Sequence, residues 1–336
     1  STPIKSSAAS DVYKRQVPIY KVERFIARCV TSLMKQTLQD VEYIFVDDAT
    51  PDQSLSILQE VLVAYPERKK YVKILHHKDN QGLPAARNTG LEVSEGEYIF
   101  HCDSDDYVEP DMLETLYNEA LKNNADIVWC DWFLTFGQNE RYMKQPNYNT
   151  PLEAVKAMLG GAMKFNVWNK LVKRELYQKN AITFPAGFSM GEDMTMILPF
   201  VFAKKIHYVP KAFYHYVKTN SGAYTQNHSE RHLKDLQYNV ARVEMTLRQR
   251  LGASLDKEIA FFKLETKFPL LIMGTNSQQY TQWSELYPDA NEFICQNTYI
   301  SFRSRMLEWF AWKKQWWIVR LYYWVIIKFV YGVIYK

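Results

Sequence analysis

Strand-like and helix-like segments alternate along residues 22–132 of this chain. Four short runs rich in β-branched and aromatic residues have the pattern of strands, and segments with apolar residues every three or four positions lie between them. The strands are predicted at 41–48, 71–77, 96–103 and 125–132, and the helices at about 22–38, 52–65, 83–94 and 110–124. Such alternation predicts an α/β fold with a mostly parallel central sheet flanked by helices.

Acidic residues follow two of the predicted strands directly. Asp47 and Asp48 end the strand at 41–48, and the run Asp-Ser-Asp-Asp at 103–106 ends the strand at 96–103. Because ligands in open α/β sheets bind beyond the carboxyl ends of the strands, we expect these acids to converge on one edge of the sheet. Carboxylates this close repel one another, so a positive group is expected beside them.

The spacing of Asp103 and Asp105 indicates a metal site. An Asp-x-Asp pair at a strand end can hold a hard divalent cation, which prefers carboxylates together with phosphate oxygens of a substrate. The alternative is that the acids stabilise the N-terminus of the helix at 110–124, a role that suits Glu109 and Asp111. The chain has no GxGxxG or GxxxxGK[ST] loop, so a nucleotide would be held without a glycine-rich phosphate loop.

Composition indicates a folded protein from a reducing compartment. The chain of 336 residues is 47% hydrophobic with a net charge of +4, and its four cysteines have no CxxC spacing, which favours a cytoplasmic location. The charge is uneven, because residues 300–336 hold seven Lys or Arg and one Glu, a local net charge of 7 − 1 = +6. We expect no nucleic-acid partner.

The first sixteen residues, STPIKSSAASDVYKRQ, do not resemble a signal peptide, because no apolar core follows the charges. The next four, Val-Pro-Ile-Tyr, have the pattern of the end of a buried strand. We therefore predict that residues 1–16 are a non-native leader and that the first strand is truncated.

Five segments in order resemble a family 2 glycosyltransferase of the GT-A fold, of the bacterial surface-polysaccharide type. They are VPIYKVERFIARCVTSLMKQTLQDVEYIFVDDATPD, NQGLPAARNTGL, GEYIFHCDSDDYVEPDML, FNVWNKLVKREL and GEDM, and the similarity extends over about residues 17–220. The resemblance implies transfer of a sugar with inversion from a nucleotide donor, usually a UDP-sugar, to an acceptor hydroxyl, assisted by Mn²⁺ or Mg²⁺. It implies a GT-A catalytic domain at 17–225, followed by a helical extension at 226–299 and a basic, aromatic tail at 300–336.

The resemblance also implies roles for individual residues. Asp48 would accept a hydrogen bond from the uracil N–H, Asp105 would ligate the metal with Asp103, and His215 would lie near the metal. The residues expected to bind the nucleotide are Pro18, Tyr20, Asp48, Arg87, Asp103 and Ser104. Two of these assignments have alternatives, an ion pair with neighbouring acids for Arg87 and simple packing for His215.

The catalytic base is expected from the pair Glu192-Asp193, which follows a glycine at the start of an apolar helix. Direct displacement at the anomeric carbon needs a base for the acceptor hydroxyl. Composition alone explains the pair as a helix N-terminal cap, whereas the resemblance favours Asp193 as the base and Glu192 as an acceptor or positioning contact. Trp168, Asn169 and Lys170 are expected to form the floor of the acceptor site, although Trp168 alternatively belongs to the core.

The tail at 300–336 is dense in Trp, Tyr and aliphatic residues. Arg320 and Lys328 interrupt every apolar window long enough to span a bilayer, so we expect an interfacial helix on anionic lipid. The alternative is a helix packed on the catalytic domain. An enzyme peripheral on the inner face of the cell membrane would suit a glycan or lipid-linked glycan acceptor.

Two other functions fit parts of the pattern. A haloacid dehalogenase-like phosphatase also has an apolar strand followed by Asp-x-Asp, but Tyr107 stands where that class has Thr or Val. The second alternative is a non-catalytic, membrane-associated protein that binds a nucleotide-sugar or a glycan, because a fold does not fix a function.

Overall fold

The computed structural model describes residues 13–137, 139–218 and 230–334, which divide into two compact units. The first unit comprises residues up to Pro151 together with Phe165–Asn239, and the second comprises Leu152–Lys164 together with residues from Val240 onward. The second unit thus includes a segment that the sequence analysis placed in the catalytic domain, and it begins later than the predicted boundary at 226.

The elements of the first unit follow the predicted alternation up to residue 136, with two short elements that were not predicted, a helix at Pro66–Lys69 and a strand at Tyr107–Val108. Its strands are β1 Tyr13–Ile19, β2 Val41–Asp47, β3 Val72–His76, β4 Tyr98–His101, β5 Tyr107–Val108, β6 Ile127–Phe136, β7 Asn139–Met143, β8 Lys170–Lys173 and β9 Ile206–Val217. Its helices are α1 Ile26–Met34, α2 Ser54–Val63, α3 Pro66–Lys69, α4 Leu83–Glu92, α5 Met112–Asn123, α7 Arg174–Lys179, α8 Glu192–Thr195 and α9 Ile197–Phe202. Helix α6 Pro151–Gly160 begins at the last residue of the unit's first segment, and α10 Glu230–Leu251 begins within its second.

The strands form one sheet in the order β3-β2-β1-β4-β8-β6-β9-β5, with β7 paired to β6. The first four strands in this order pair in parallel, which confirms the predicted parallel sheet for that half. The other half is mixed, because β8 runs antiparallel to both β4 and β6 while β9 runs parallel to β6. The short strand β8 lies between β4 and β6 and is antiparallel to both, so these two strands are not joined by direct parallel pairing.

Burial explains why these segments adopt their structure. Every residue of β2 is buried, as expected for a central strand of a parallel sheet covered on both faces. Helix α1 buries Ile26, Cys29, Val30 and Leu33, which are spaced three and four residues apart and therefore share one face.

The prediction of a truncated first strand is wrong. Strand β1 begins at Tyr13 and pairs with both β2 and β4 from that residue onward. Gln16 is fully buried in β1, where its Nε2 atom donates to Ser94 Oγ at 3.4 Å and its Oε1 atom has no hydrogen-bond partner among the described residues. Residues 13–16, predicted to belong to the leader, are therefore part of the sheet, and residues 1–12 lie outside the described residues.

The second unit is helical, and the tail is part of it. Beyond α10 its α-helices are α11 Asp256–Lys267, α12 Pro269–Ile272, α13 Ser277–Glu285, α14 Phe302–Trp312 and α15 Trp316–Tyr322, and a π-helix at Tyr323–Ile334 continues α15. The Trp316 ring stacks on Tyr280 with 4.9 Å between ring centroids, and Val319 is fully buried. Within the described residues, no helix has both the length and the apolar character needed to cross a bilayer.

Candidate active site

The carboxyl ends of β1, β2 and β4 form one edge of the sheet, with β1 in the middle. Asp47 ends β2, and the acidic run 103–106 follows β4. Backbone hydrogen bonds from Asp48 to Ile19 and from Cys102 to Gln16 continue the pairing beyond the strand ends. The predicted convergence of the two acidic groups on one edge is confirmed.

Accessible and buried side chains alternate along the acidic run. Asp103 and Asp105 are partly exposed, whereas the Asp106 side chain is buried. Asp106 accepts hydrogen bonds from the Tyr214 hydroxyl and from a backbone N–H of β9, both at 2.7 Å. Burial, together with Asp105 and Asp103, raises the pKa of Asp106 well above its ordinary value. Asp106 therefore anchors the loop to β9, a role that the sequence analysis did not identify.

Arg87, from helix α4, is the positive group beside these acids. Its side chain is fully buried, and Nη2 donates to Asp103 Oδ1 at 2.5 Å. Burial by itself would lower the pKa of Arg87, but the carboxylates of Asp103, Glu192 and Asp193 outweigh that effect and raise it. Its Nε and Nη1 atoms have no hydrogen-bond partner among the described residues. Arg87 thus pairs with Asp103 and also interacts electrostatically with Glu192 and Asp193, which links the two predicted halves of the site.

Glu192 and Asp193 open the short helix α8, and the Glu192 carboxylate accepts hydrogen bonds from the backbone N–H groups of Gly191 and Glu192, as a helix cap does. The N-cap residue is Gly191 and makes no side-chain capping bond. Asp193 Oδ1 instead accepts a hydrogen bond from the backbone N–H of Val167 at 2.8 Å. Burial and the adjacent Glu192 carboxylate raise the pKa of Asp193 to about 7, and burial also raises the pKa of Glu192. An aspartate with this pKa is a better proton acceptor near neutral pH than an ordinary one.

Asp48 is 3% exposed and holds the loop that leads into α4. Its Oδ1 atom accepts from His77 Nδ1 at 2.7 Å and from the backbone N–H of Gln81 at 2.8 Å. Its Oδ2 atom accepts from Asn80 Nδ2 at 2.9 Å and from the backbone N–H of Gly82 at 2.8 Å. These four donors fill the sites that a carboxylate offers, so in this structure Asp48 positions the helix that carries Arg87. Its contact with the uracil ring stays a prediction.

The other residues predicted to bind the nucleotide lie near the same edge. Pro18 and Ser104 are buried, whereas Tyr20 is 39% exposed and directly follows β1. The ammonium group of Lys21 lies 5.1 Å from the centre of the Tyr20 ring. Tyr20 is the member of this set with an aromatic face open to a ligand.

His215 is packed, and its ring nitrogens are both engaged. Nδ1 lies 2.7 Å from Glu140 Oε1, and Nε2 lies 2.8 Å from Glu109 Oε1. The ring stacks on Tyr107 and on Phe133, with 4.1 and 4.8 Å between centroids. This arrangement matches the packing alternative and does not support the predicted place of His215 near a metal.

The residues predicted to form the acceptor floor lie inside the protein. Asn169 and Lys170 are fully buried, and Lys170 Nζ donates to Asn169 Oδ1 at 2.8 Å. Burial lowers the pKa of Lys170 to about 7 in spite of the nearby Asp193 carboxylate. Trp168 is 4% exposed and stacks on Tyr214, with 4.4 Å between centroids. Direct contact with an acceptor is not supported for Asn169 or Lys170, and Trp168 belongs to the core, as its alternative predicted.

The sheet order and the acidic edge define a GT-A fold. The sequence model of the family described as Glycosyl transferase family 2 matches residues 16–194, and the chain belongs to this family. Among curated proteins, the chain is 35% identical over 185 residues to the uncharacterized glycosyltransferase EpsJ of Bacillus subtilis, which is 53% of this chain and 52% of EpsJ. It is 32% identical over 208 residues to the putative glycosyltransferase EpsH of the same organism, 60% of this chain and 59% of EpsH. The matches thus span little more than half the length of these relatives.

Solved structures show the same fold. The chain is similar to S. aureus TarS 1-349, crystallised in complex with UDP-GlcNAc, with a TM-score of 0.68 at 20% sequence identity. That similarity covers 93% of this chain and 90% of the TarS chain. At this level of identity the likeness establishes the fold.

Proposed function

We propose that this protein transfers a sugar from a UDP-sugar to a hydroxyl of a glycan or lipid-linked glycan acceptor, by metal-assisted single displacement with inversion. The observation that carries the proposal is that Arg87 pairs with Asp103, on the proposed nucleotide side, and interacts electrostatically with the Glu192-Asp193 pair. The family match and the complex of TarS with UDP-GlcNAc support a UDP-sugar donor.

Asp193 is the proposed base. In the reaction, the acceptor oxygen forms a bond to the anomeric carbon, the bond from that carbon to the UDP oxygen breaks on the opposite side, and Asp193 takes the acceptor proton. The hydrogen bond from Val167 N–H holds Oδ1, so Oδ2 takes the proton. Glu192 orients the acceptor, and its carboxylate beside Asp193 helps to hold the pKa of Asp193 near 7. A base with a pKa near the working pH gives efficient proton transfer.

In this proposal the nucleotide lies along the acidic edge. Tyr20 and Pro18 form a wall of the base pocket. Asp48 accepts a hydrogen bond from the uracil N–H in place of one of the hydrogen bonds that its carboxylate now accepts from residues 80–82. Asp103 and the buried Ser104 contact the ribose side. Arg87 fixes the orientation of Asp103 through their ion pair.

Asp105 and Asp103 are the proposed metal ligands. Their partly exposed carboxylates, two residues apart, suit Mn²⁺ or Mg²⁺, which bind to one or two carboxylates and complete their shell with diphosphate oxygens and water. No group of three or more His, Cys, Asp or Glu arranged for a metal occurs in the described parts of the chain, so the diphosphate would supply part of the shell. A divalent cation bound there would neutralise the diphosphate, which the acidic run alone repels.

The proposed location is the cytoplasm, on the inner surface of the cell membrane, with the tail as the contact. Four large apolar side chains of the tail are each more than half exposed, those of Trp317, Leu321, Trp324 and Phe329. Exposed lysines accompany them, and the one glutamate of residues 300–336 is buried at position 308. Aromatic residues at the headgroup level and cations beside anionic lipid would both favour this placement.

Titration calorimetry with UDP in MnCl₂ and in EDTA tests the nucleotide and metal together. Wild type is expected to lose at least about tenfold in UDP affinity in EDTA, whereas Asp105→Ala should bind equally weakly in both. Asp111→Ala is the matched control, because it removes an acid from the same segment whose partner is the surface residue Lys211. Equal affinity of wild type in both buffers would contradict the metal assignment.

A screen of several UDP-sugars for released UDP then separates the enzyme from the alternative of a non-catalytic binder. Turnover with one donor supports the proposed function. UDP binding without turnover favours the binder, and absence of UDP binding would contradict both.

A further inference from the structure

The loop at 183–191, which leads to Glu192, is fixed to two helices. Asn88 of α4 makes two hydrogen bonds with the backbone of Phe184, at 2.8 Å to its carbonyl and 2.7 Å from its N–H. The backbone N–H and the hydroxyl of Ser189 donate to Asp235 of α10 at 3.0 and 2.7 Å. Asn239, one turn along α10, donates to the carbonyl of Ser189 at 2.8 Å. The loop is therefore positioned closely by its neighbours.

The same face of α10 carries an exposed aromatic ring. Tyr238 follows Asp235 by three residues, so the two side chains lie on the same face of α10, the face that binds the loop. Its ring stacks on Phe188 of the loop with 3.6 Å between centroids and an angle of 7°, closer than the usual 4.5–7 Å of aromatic pairs. Tyr238 is nevertheless 44% exposed. Phe188 supports one side of the ring, and part of it faces solvent.

The loop that carries Phe188 leads directly to the proposed base. A side chain at Gly191 would collide with Asn239, so the backbone of Gly191 rests directly against the part of α10 that bears Tyr238. Glu192 is the next residue in the chain. The acceptor must approach Glu192 and Asp193, and the aromatic residue that the sequence offered for its floor, Trp168, is buried in the core.

We propose that Tyr238, supported by Phe188, is the platform on which a sugar ring of the acceptor stacks beside the base. Flat aromatic faces with an adjoining polar group are suited to pyranose rings, which present an apolar face of C–H groups and an edge of hydroxyls. The proposal rests on the proposed function and deepens it, because it names the side chain on which a sugar ring of the glycan acceptor is held.

Saturation-transfer NMR of the full chain with lactose, maltose and chitobiose, with and without UDP, tests the platform. At least one disaccharide should receive saturation on its ring C–H protons, and Tyr238→Ala should weaken its binding by about tenfold, equivalent to about 1.4 kcal/mol. Tyr238→Phe keeps the ring and should bind as wild type does. Phe136→Ala is the matched control, because it removes a ring of similar exposure, 48%, from the end of β6.

If Tyr238→Ala does not fold, Tyr238→Leu keeps apolar contact with Phe188 while removing the aromatic face, and the same loss is expected. Binding of none of the three disaccharides to wild type, or binding unchanged in the Ala or Leu variant, would overturn the platform. UDP titration of the same samples separates the two proposals. Normal UDP binding with failed sugar binding rejects the platform alone, whereas absent UDP binding in wild type rejects the proposed function.

Discussion

Arg87 and Asp103 form an ion pair in which the guanidinium is fully buried and the Asp103 side chain is 25% exposed. One arginine therefore faces three carboxylates, because Glu192 and Asp193 also act on it. Burial, together with repulsion from the neighbouring carboxylates, raises the pKa values of Glu192 and Asp193 and outweighs the opposing effect of Arg87.

Replacement of Arg87 by Met is expected to lower the free energy of unfolding by about 3–5 kcal/mol, because it leaves the acids without their cation. Urea denaturation measures the loss. Lys122→Met is the matched control, since it removes the cation of an exposed pair with Glu119 and should cost less than about 1 kcal/mol. Equal small effects of the two variants would show that the buried pair is not a determinant of stability.

The sequence predicted the elements that local pattern determines. The strands and helices between residues 41 and 132 follow from apolar periodicity, and the acidic edge follows from parallel pairing. Contacts between residues distant in sequence were not predictable in this way. The anchoring of Asp106 by Tyr214 joins residues 108 positions apart, and nothing near Asp106 in the sequence distinguishes it from Asp105.

The same limit explains the misplaced acceptor residues. Trp168, Asn169 and Lys170 form a polar, aromatic stretch that is typical of an exposed site, but Trp168 and Asn169 end a short 3₁₀-helix that leads into β8, and Lys170 is the first residue of β8, which pairs with β4 and β6. The position of β8 between these strands depends on antiparallel pairing that local pattern does not reveal. Gln16 shows the reverse case, since a polar residue assigned to the leader is buried in β1, where one hydrogen bond satisfies only part of its side chain.

Replacement of the exposed tail residues Trp317, Trp324 and Phe329 by Ser is expected to abolish most sedimentation with phosphatidylserine vesicles. These substitutions leave the packed residue Val319 in place, which deletion of the tail would not. Wild-type binding should weaken with salt, because exposed charges are screened beyond about 8 Å at physiological ionic strength. A double variant of the exposed residues Met245 and Met273 is the control. Undiminished sedimentation of the triple variant would reject the membrane contact.

Glu308 of α14 is fully buried, and neither carboxylate oxygen has a hydrogen-bond partner among the described residues. Burial and Glu265 raise its pKa to about 8, against the opposing effect of Lys267. Because the folded-state pKa lies above the unfolded value, the ionised form is disfavoured, and this group costs stability progressively as pH rises from its ordinary pKa of 4.5 to about 8. Glu308→Gln stays neutral, so its melting temperature should rise relative to wild type as pH increases.

Thermal melts of Glu308→Gln at pH values below and above this window check the sign. Glu285→Gln, an exposed position in the same unit, should show no such trend. A melting-temperature difference for Glu308→Gln that does not change with pH would contradict a buried, neutral Glu308.

The raised pKa of Asp193 predicts how transfer depends on pH. If Asp193 must be ionised to accept the acceptor proton, kcat/KM should fall as pH drops below about 7. If kcat/KM instead falls only near the ordinary aspartate pKa of 3.8, Asp193 with its raised pKa is not the base. The profile is measured with saturating Mn²⁺, so that loss of metal at low pH does not produce the same fall.

The most direct measurement is sugar transfer by Asp193→Asn, with donor binding and melting temperature recorded on the same preparation. The substitution keeps the side chain's shape and an acceptor oxygen for the Val167 N–H, but removes the basic carboxylate. We expect UDP-sugar affinity and melting temperature close to wild type, with transfer reduced at least about 100-fold, the low end of the range for general base catalysis. Near-normal transfer by Asp193→Asn would contradict the account and make Glu192 the next candidate for the base.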